Sequence, residues 1–243
     1  MIDLNHQSVM GEINHLIDQA IVADRSKEEP RNYLGGSRLG VSCSRALQYE
    51  FFNTPKDEGK DFNGKTYRIF QVGHVMEDIA VQWFRAAGFD LRNQKPDGKQ
   101  FGFSIAGGQI AGHIDGVFCG GPDTLRYPCL WECKTMNHKK WNQVSKEKLR
   151  KANPVYFAQV QIYMAYMDLT DNPAVFTAIN KDTQDLYHET IPFDPEHAQK
   201  ISDKGANIIS ACRAGEMLPR IATSPDFFEC KYCSWSSRCW TAP

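Results

Sequence analysis

Gln109-Ile110-Ala111-Gly112-His113-Ile114-Asp115-Gly116-Val117-Phe118-Cys119 and Cys129-Leu130-Trp131-Glu132-Cys133-Lys134-Thr135 are the two stretches on which the fold turns. Both read as strands. In the first, Ile110, Ile114 and Phe118 fall on one face, which sends Asp115 and His113 to the other. In the second, Glu132 and Lys134 share a face opposite Trp131, Cys133 and Thr135. If the strands pair, two carboxylates lie side by side, which is costly in a partly buried place unless a cation neutralises them. A hard divalent ion, Mg²⁺ or Mn²⁺, suits oxygen ligands and keeps positions open for water and a phosphate. Lys134 could then favour an attacking hydroxide or offset charge as a transition state forms. A lone Glu-x-Lys is equally an ordinary salt-bridged pattern on an exposed strand, so its meaning depends on what surrounds it.

The surroundings predict a mixed α/β protein. Phe101 to Ala106 reads as a strand that turns at Gly107-Gly108 into Gln109 to Cys119, and Cys129 to Thr135 continues an antiparallel meander. Upstream, Val72, Val75, Met76, Ile79, Ala80, Trp83, Phe84 and Ala87 recur at helical spacing and predict a helix from about Gln71 to Ala87 with one buried face, closed by Gly88. His74 and Glu77 lie one turn apart on its flank, Glu77 reading as a flank charge or, more weakly, as a further site candidate. Asn153-Pro154 opens a helix through about Leu169, and Asp194-Pro195 opens another that ends at Gly215. Ala174 to Asn180 and Leu186 to Pro192 read as a hairpin between them. Residues 7 to 23 are weakly helical, and Gly35-Gly36 separates an N-terminal arm, residues 1–36, from a main domain, residues 37–243.

Composition narrows the class of molecule. The 243 residues are 42% hydrophobic and 23% charged, which excludes a disordered or fibrous chain. No apolar run reaches the roughly 20 residues of a membrane span, and the first residues lack the pattern of a secretory signal, so a cytoplasmic protein is expected. A net charge of -1 provides no global attraction to a polyanion. The charge is polarised, however: Lys139, Lys140, Lys146, Lys148, Arg150 and Lys151 face the single acid Glu147 in one segment, which reads as a contact for a DNA backbone or as a solvated loop. Of eight cysteines, Cys119, Cys129, Cys133 and Cys212 sit in apolar stretches and read as buried small hydrophobes. Cys230, Cys233 and Cys239 form C-x2-C-x5-C near the end of the chain, metal-ligand spacing that lacks one ligand.

Taken in order, Gly73-His74, Gly112-x-x-Asp115, Glu132-x-Lys134 and Gln159-x-x-x-Tyr163 resemble the PD-(D/E)xK nuclease superfamily. The resemblance is to its RecB-like branch, which includes AddB-type helicase-nucleases and CRISPR-adaptation nucleases and has relatives in many phages. It covers residues 40 to 240 and implies a restriction-endonuclease-like core, a mixed central sheet flanked by helices. It further implies a metal-dependent DNA nuclease, in its preferred form an exonuclease working on DNA ends or single strands in recombination or repair. The implied metal ligands are His74, Asp115, Glu132 and the backbone carbonyl of Cys133, with Mg²⁺ or Mn²⁺ as the ion. Lys134 would assist the nucleophile, while Gln159 and Tyr163 would face the site and position DNA or the scissile phosphate. DNA is the implied partner, with recombination or replication proteins beside it, in a bacterial cytoplasm. The superfamily's proline is absent before Asp115, and His113 has no family role, reading as a half-buried strand residue.

Iron-sulfur members of the branch pair one early cysteine with a C-terminal C-x2-C-x5-C. Cys43 would join Cys230, Cys233 and Cys239 around a [4Fe-4S] cluster, in a small lobe built from about residues 40–55 and 225–243. A four-cysteine zinc site satisfies the same spacing. A non-catalytic DNA-binding subunit of the same fold is the alternative to an enzyme, and the intact Asp115, Glu132 and Lys134 argue against it.

Overall fold

The computed structural model describes residues 4–241, with burial and side-chain placement described from Val9 onward. The outermost residues of the expected arm and domain, 1–3 and 242–243, lie outside them.

The chain runs α1 (Leu4–Arg25), β1 (Leu34–Gly35), α2 (Ser44–Phe51), α3 (Gly64–Ala86), β2 (Asp90–Arg92), β3 (Gly102–Ile105), β4 (Ile110–His113), β5 (Gly116–Gly120) and β6 (Cys129–Met136). It continues through α4 (His138–Glu147), α5 (Leu149–Ala152), α6 (Pro154–Tyr166), β7 (Ala174–Asn180), β8 (Leu186–Ile191), α7 (Pro195–Ala214), α8 (Phe228–Lys231) and α9 (Ser236–Thr241). A five-stranded mixed sheet, β2-β5-β6-β7-β8, is the centre of the molecule, and a three-stranded sheet, β1-β4-β3, stands beside it. β6 pairs antiparallel with β5 and parallel with β7. Parallel neighbours need a long crossover, and α4 to α6 provide it.

Each face of the central sheet is buried. Leu130, Met136, Phe176 and Ala178 pack with Val160 and Ile162 of α6 and Ile208 and Ile209 of α7. On the other face Trp131, Cys133, Val175 and Ile179 pack with Ala80, Val81 and Phe84 of α3. Every residue of β7 is buried, as expected of a strand covered on both faces.

Several local expectations hold. Asn153 caps α6 by accepting from the Tyr156 N–H, Asp194 caps α7 by accepting from His197, and Gly215 ends α7 in the left-handed conformation at φ 70°. β7 and β8 form the expected antiparallel hairpin.

Others need correction. The expected strand 109–119 is two strands in two sheets: β4 pairs with β3, the chain breaks at Ile114-Asp115, and β5 joins β6. The meander is therefore split. The helix expected from Gln71 begins at Gly64, because Asn63 caps it by accepting from the Thr66 N–H at 3.0 Å. Its expected buried face is only partly covered: Ala80 is buried, whereas Val72 and Val75 are more than half exposed and Trp83 is 43% exposed, and Val81, outside the expected face, is buried instead. The segment carrying Lys139 to Lys151 is α4 and α5 instead of a loop, capped by Asn137 and anchored by buried Val144 and Leu149. Cys129, Cys133 and Cys212 are buried as expected, but Cys119 is half-buried, and His113 is exposed.

Candidate active site

The break between β4 and β5 is what presents Asp115. The register pairs Gly116 with Trp131, so Asp115 lies opposite Glu132, and its Oδ2 accepts from the Cys133 N–H at 2.8 Å. A Cβ on Gly112 would meet the Phe103 ring at 2.8 Å and the Tyr163 ring at 2.9 Å, so this close approach requires glycine three residues before the aspartate.

Glu132 is fully buried at the centre of β6. Its Oε1 accepts from both Lys134 Nζ and Gln159 Nε2, while Oε2 is buried without a hydrogen-bond partner among the described residues. Lys134 Nζ also lies 3.7 Å from Asp115 Oδ2 and donates to the Cys133 carbonyl at 3.1 Å. One ammonium thus spans both carboxylates and the carbonyl. Burial works against that charge, but Glu132 and Asp115 outweigh it and raise the Lys134 pKa. Burial, and then the charge of Asp115, push the Glu132 carboxyl upward.

Glu77 belongs to the same electrostatic group, which the sequence reading underrated. Burial first, then Asp115, raise its carboxyl to about 8. The signal available in the sequence was its place one turn after His74. Both residues line two clefts that flank the site: one of about 780 Å³ bordered by Lys134, Tyr156 and Gly73, and one of about 190 Å³ bordered by Asp115, His113 and Tyr163. Arg31 lines both and was not foreseen.

Gln159 and Tyr163 are both brought to the site, Gln159 behind its surface and Tyr163 in the lining of the smaller cleft. Gln159 is 5% exposed and commits its amide to Glu132, so it orients the carboxylate and has no free reach toward a strand of DNA. Tyr163 is 3% exposed, and burial, followed by the charge of Glu132, raises its pKa, so the phenol stays protonated. Cys133 points its thiol into the opposite core, where burial raises its pKa.

Among the described residues no three His, Cys, Asp or Glu side chains are grouped closely enough to hold a single metal ion as they stand. The donor set nevertheless fits a hard cation. Asp115, Glu132 and the Cys133 carbonyl converge on one positive charge, and the unpartnered Glu132 Oε2 is an anionic oxygen still to be satisfied. The Lys134 stem is flexible enough to yield that position.

The six basic residues of α4 and α5 line neither cleft. Lys140 donates to the Ala152 carbonyl at 2.7 Å, Lys148 to Tyr187 at 3.2 Å, and Arg150 pairs with Asp194 at 3.1 Å. Lys139, Lys146 and Lys151 are exposed.

Away from this site, Cys43, Cys230, Cys233 and Cys239 line one cavity of about 320 Å³ with Tyr49 and Trp235. All four are free thiols. Segments far apart in sequence close around them: Asp57 N–H donates to the Ser234 carbonyl at 2.8 Å, and Trp235 Nε1 to the Thr54 carbonyl at 2.9 Å. Arg45 Nη1 lies 3.9 Å from Cys239 Sγ.

No family profile matches the chain, and no curated protein does. Solved structures do. The chain is similar to an alkaline exonuclease from Laribacter hongkongensis, with TM-score 0.52 and 15% identity over 76% of this chain and 90% of that one. The same exonuclease in complex with dAMP gives TM-score 0.50 and 17% identity over 76% and 89%. A protein designated SSO0001 gives TM-score 0.50 and 17% identity over 93% and 96%. At these identities the likeness is one of fold: mixed sheets flanked by helices, arranged as in an exonuclease.

Proposed function

We propose that this chain is a divalent-metal-dependent deoxyribonuclease of the RecB-like branch, acting on DNA ends or single strands. The observation that carries the reading is the fully buried Glu132, with one oxygen unpartnered and the other joined to Asp115 through Lys134. A buried acid pair of this kind is expensive for folding alone and is ordinary where a cation and a phosphate must be held.

His74, Asp115, Glu132 and the Cys133 carbonyl would hold Mg²⁺ or Mn²⁺, with Glu77 beside them. The ion would supply Lewis acidity toward the phosphate and the attacking water. Gln159 fixes the Glu132 carboxylate. Lys134, displaced from between the acids, keeps its positive charge where a hydroxide must form and where negative charge grows on the phosphate. Water attacks phosphorus, the bond to the leaving sugar oxygen breaks, and that oxygen takes up a proton. The exonuclease fold of the neighbours, one of them bound to a deoxynucleotide, supports release of nucleotides from an end.

The four thiols around one cavity support a [4Fe-4S] cluster with a structural role. Four ligands of a single zinc ion would each lie about 2.3 Å from it. The same four thiols would also satisfy a zinc ion, and the preference for a cluster rests on the resemblance to the iron-sulfur members of the branch.

Purified protein incubated with end-labelled single- and double-stranded DNA tests the reading. Mn²⁺ should produce labelled mononucleotides or short products, and EDTA should stop their release. Absence of any cleavage with Mn²⁺ or Mg²⁺ would exclude an enzyme and favour a DNA-binding subunit.

A further inference from the structure

Three rings line the larger cleft together with Lys134. Phe62, Tyr67 and Phe70 contact one another edge to face, with centroids 5.4 to 6.3 Å apart. Phe62 and Phe70 remain 47% and 43% exposed, although rings of this size ordinarily go into a core. They are held out by construction. Asn63 caps α3 between them, and α1 locks the first turn in place through the Asp18–Arg68 ion pair. At Gly64 a Cβ would meet Asp18 Cα at 2.5 Å, so α1 and α3 are in direct backbone contact there.

Cations accompany the rings. Lys56 Nζ lies 3.9 Å from the Phe62 centroid, and Arg25 lies 5.7 Å from that of Tyr67. Two acids temper them: Asp61 is 4.0 Å from Lys56, and Glu28 pairs with Arg25 at 2.5 Å. Arg31 has no carboxylate partner among the described residues and lines both clefts, one with the rings and the other with Asp115.

Exposed ring faces and edges beside cations recognise unpaired nucleotides. Bases stack on aromatic rings, phosphates are met by Lys and Arg, and neither interaction depends on which base is present. A duplex cannot use the rings, because its base faces already stack on each other. An apolar helix from a partner protein would cover the rings but leave Arg31 desolvated without counter-charge.

We propose that Phe62, Tyr67 and Phe70, with Lys56 and Arg31, form a stacking platform for single-stranded DNA that delivers an unpaired strand to Lys134. The proposal rests on reading the Asp115–Lys134 site as a nuclease, and it adds the substrate form and the residues that select it.

Binding without cleavage tests it. Wild-type protein in EDTA is titrated with fluorescent oligodeoxythymidine and separately with blunt duplex DNA. Phe62→Ala with Phe70→Ala should weaken oligodeoxythymidine binding by about tenfold or more and duplex binding by less than about twofold. Phe62→Trp with Phe70→Trp should restore single-strand affinity, which a merely structural role would not predict. Thermal unfolding confirms that each variant is folded. Unchanged single-strand affinity, or equal loss for both DNA forms, would overturn the platform. Because no metal is present, a failure of the nuclease reading would appear only as absent cleavage in Mn²⁺, leaving the binding result separately readable.

Discussion

Lys134 holds apart two acids that would otherwise repel each other, and this makes stability and activity pull in opposite directions at Asp115. Asp115→Asn removes one of the negative charges that push up the Glu132 and Glu77 carboxyls, while an amide oxygen can still accept from the Cys133 N–H. The variant should therefore unfold at a higher temperature than wild type in EDTA, yet lose cleavage in Mn²⁺ by on the order of 10²-fold or more. Calorimetry and a labelled-DNA assay on the same preparation check both signs. Lys134→Ala should do the reverse to stability. It leaves Glu132 buried without its counter-charge, at a cost of about 3 kcal/mol in EDTA, and added Mn²⁺ should recover part of that loss in a denaturant titration. Asp115, Glu132, Lys134, Gln159, Tyr163 and His74 could all be picked from the chain because strand alternation and motif order place them. Glu77 could be picked only weakly, and Arg31 could not. A charge one turn from another on a helix is an ordinary surface pattern, and Arg31 reaches the clefts from a segment with no periodicity of its own.

At the scale of elements, capping residues and strict periodicity were readable and sheet membership was not. Asn153-Pro154, Asp194-Pro195 and Gly215 mark helix ends by local chemistry alone, and the helices end there. The passage of one apolar run from the small sheet to the central one at Ile114-Asp115 depends on which strands lie alongside, and alternation carries no record of that. The α3 start was missed for a related reason: Asn63-Gly64 looks like a turn until α1 is seen packed against it. Asp194 provides a test at this scale. The His197 N–H holds its carboxyl below the usual range, so its contribution is fully present above the unfolded pKa of about 3.9 and is lost as pH falls through the lower folded value. Asp194→Ala should cost about 1 kcal/mol in urea unfolding at pH 7, and the gap from wild type should shrink as pH falls below that window.

At the scale of the molecule, four cysteines join the two ends of the domain. Cys43 precedes His74, Asp115, Glu132, Lys134, Gln159 and Tyr163, and Cys230, Cys233 and Cys239 follow them all, so a cluster held by these thiols would close most of the chain into one loop and restrict its unfolded state. Protein purified without oxygen should be brown, and Cys43→Ser should lose the colour and become protease-sensitive. Cys212→Ser should keep both colour and resistance, since Cys212 packs against Gln48 in the α7 core, away from the other thiols. Colourless anaerobic protein carrying one zinc would reassign the cavity without moving the active site. The account as a whole turns on whether the acids around Lys134 do chemistry, and one comparison answers that most directly: the rate at which wild-type protein, Asp115→Asn and Lys134→Ala degrade end-labelled DNA in Mn²⁺, with folding of all three verified. The account requires metal-dependent degradation by wild type and a loss on the order of 10²-fold or more in each variant. Degradation by either variant at the wild-type rate would contradict it.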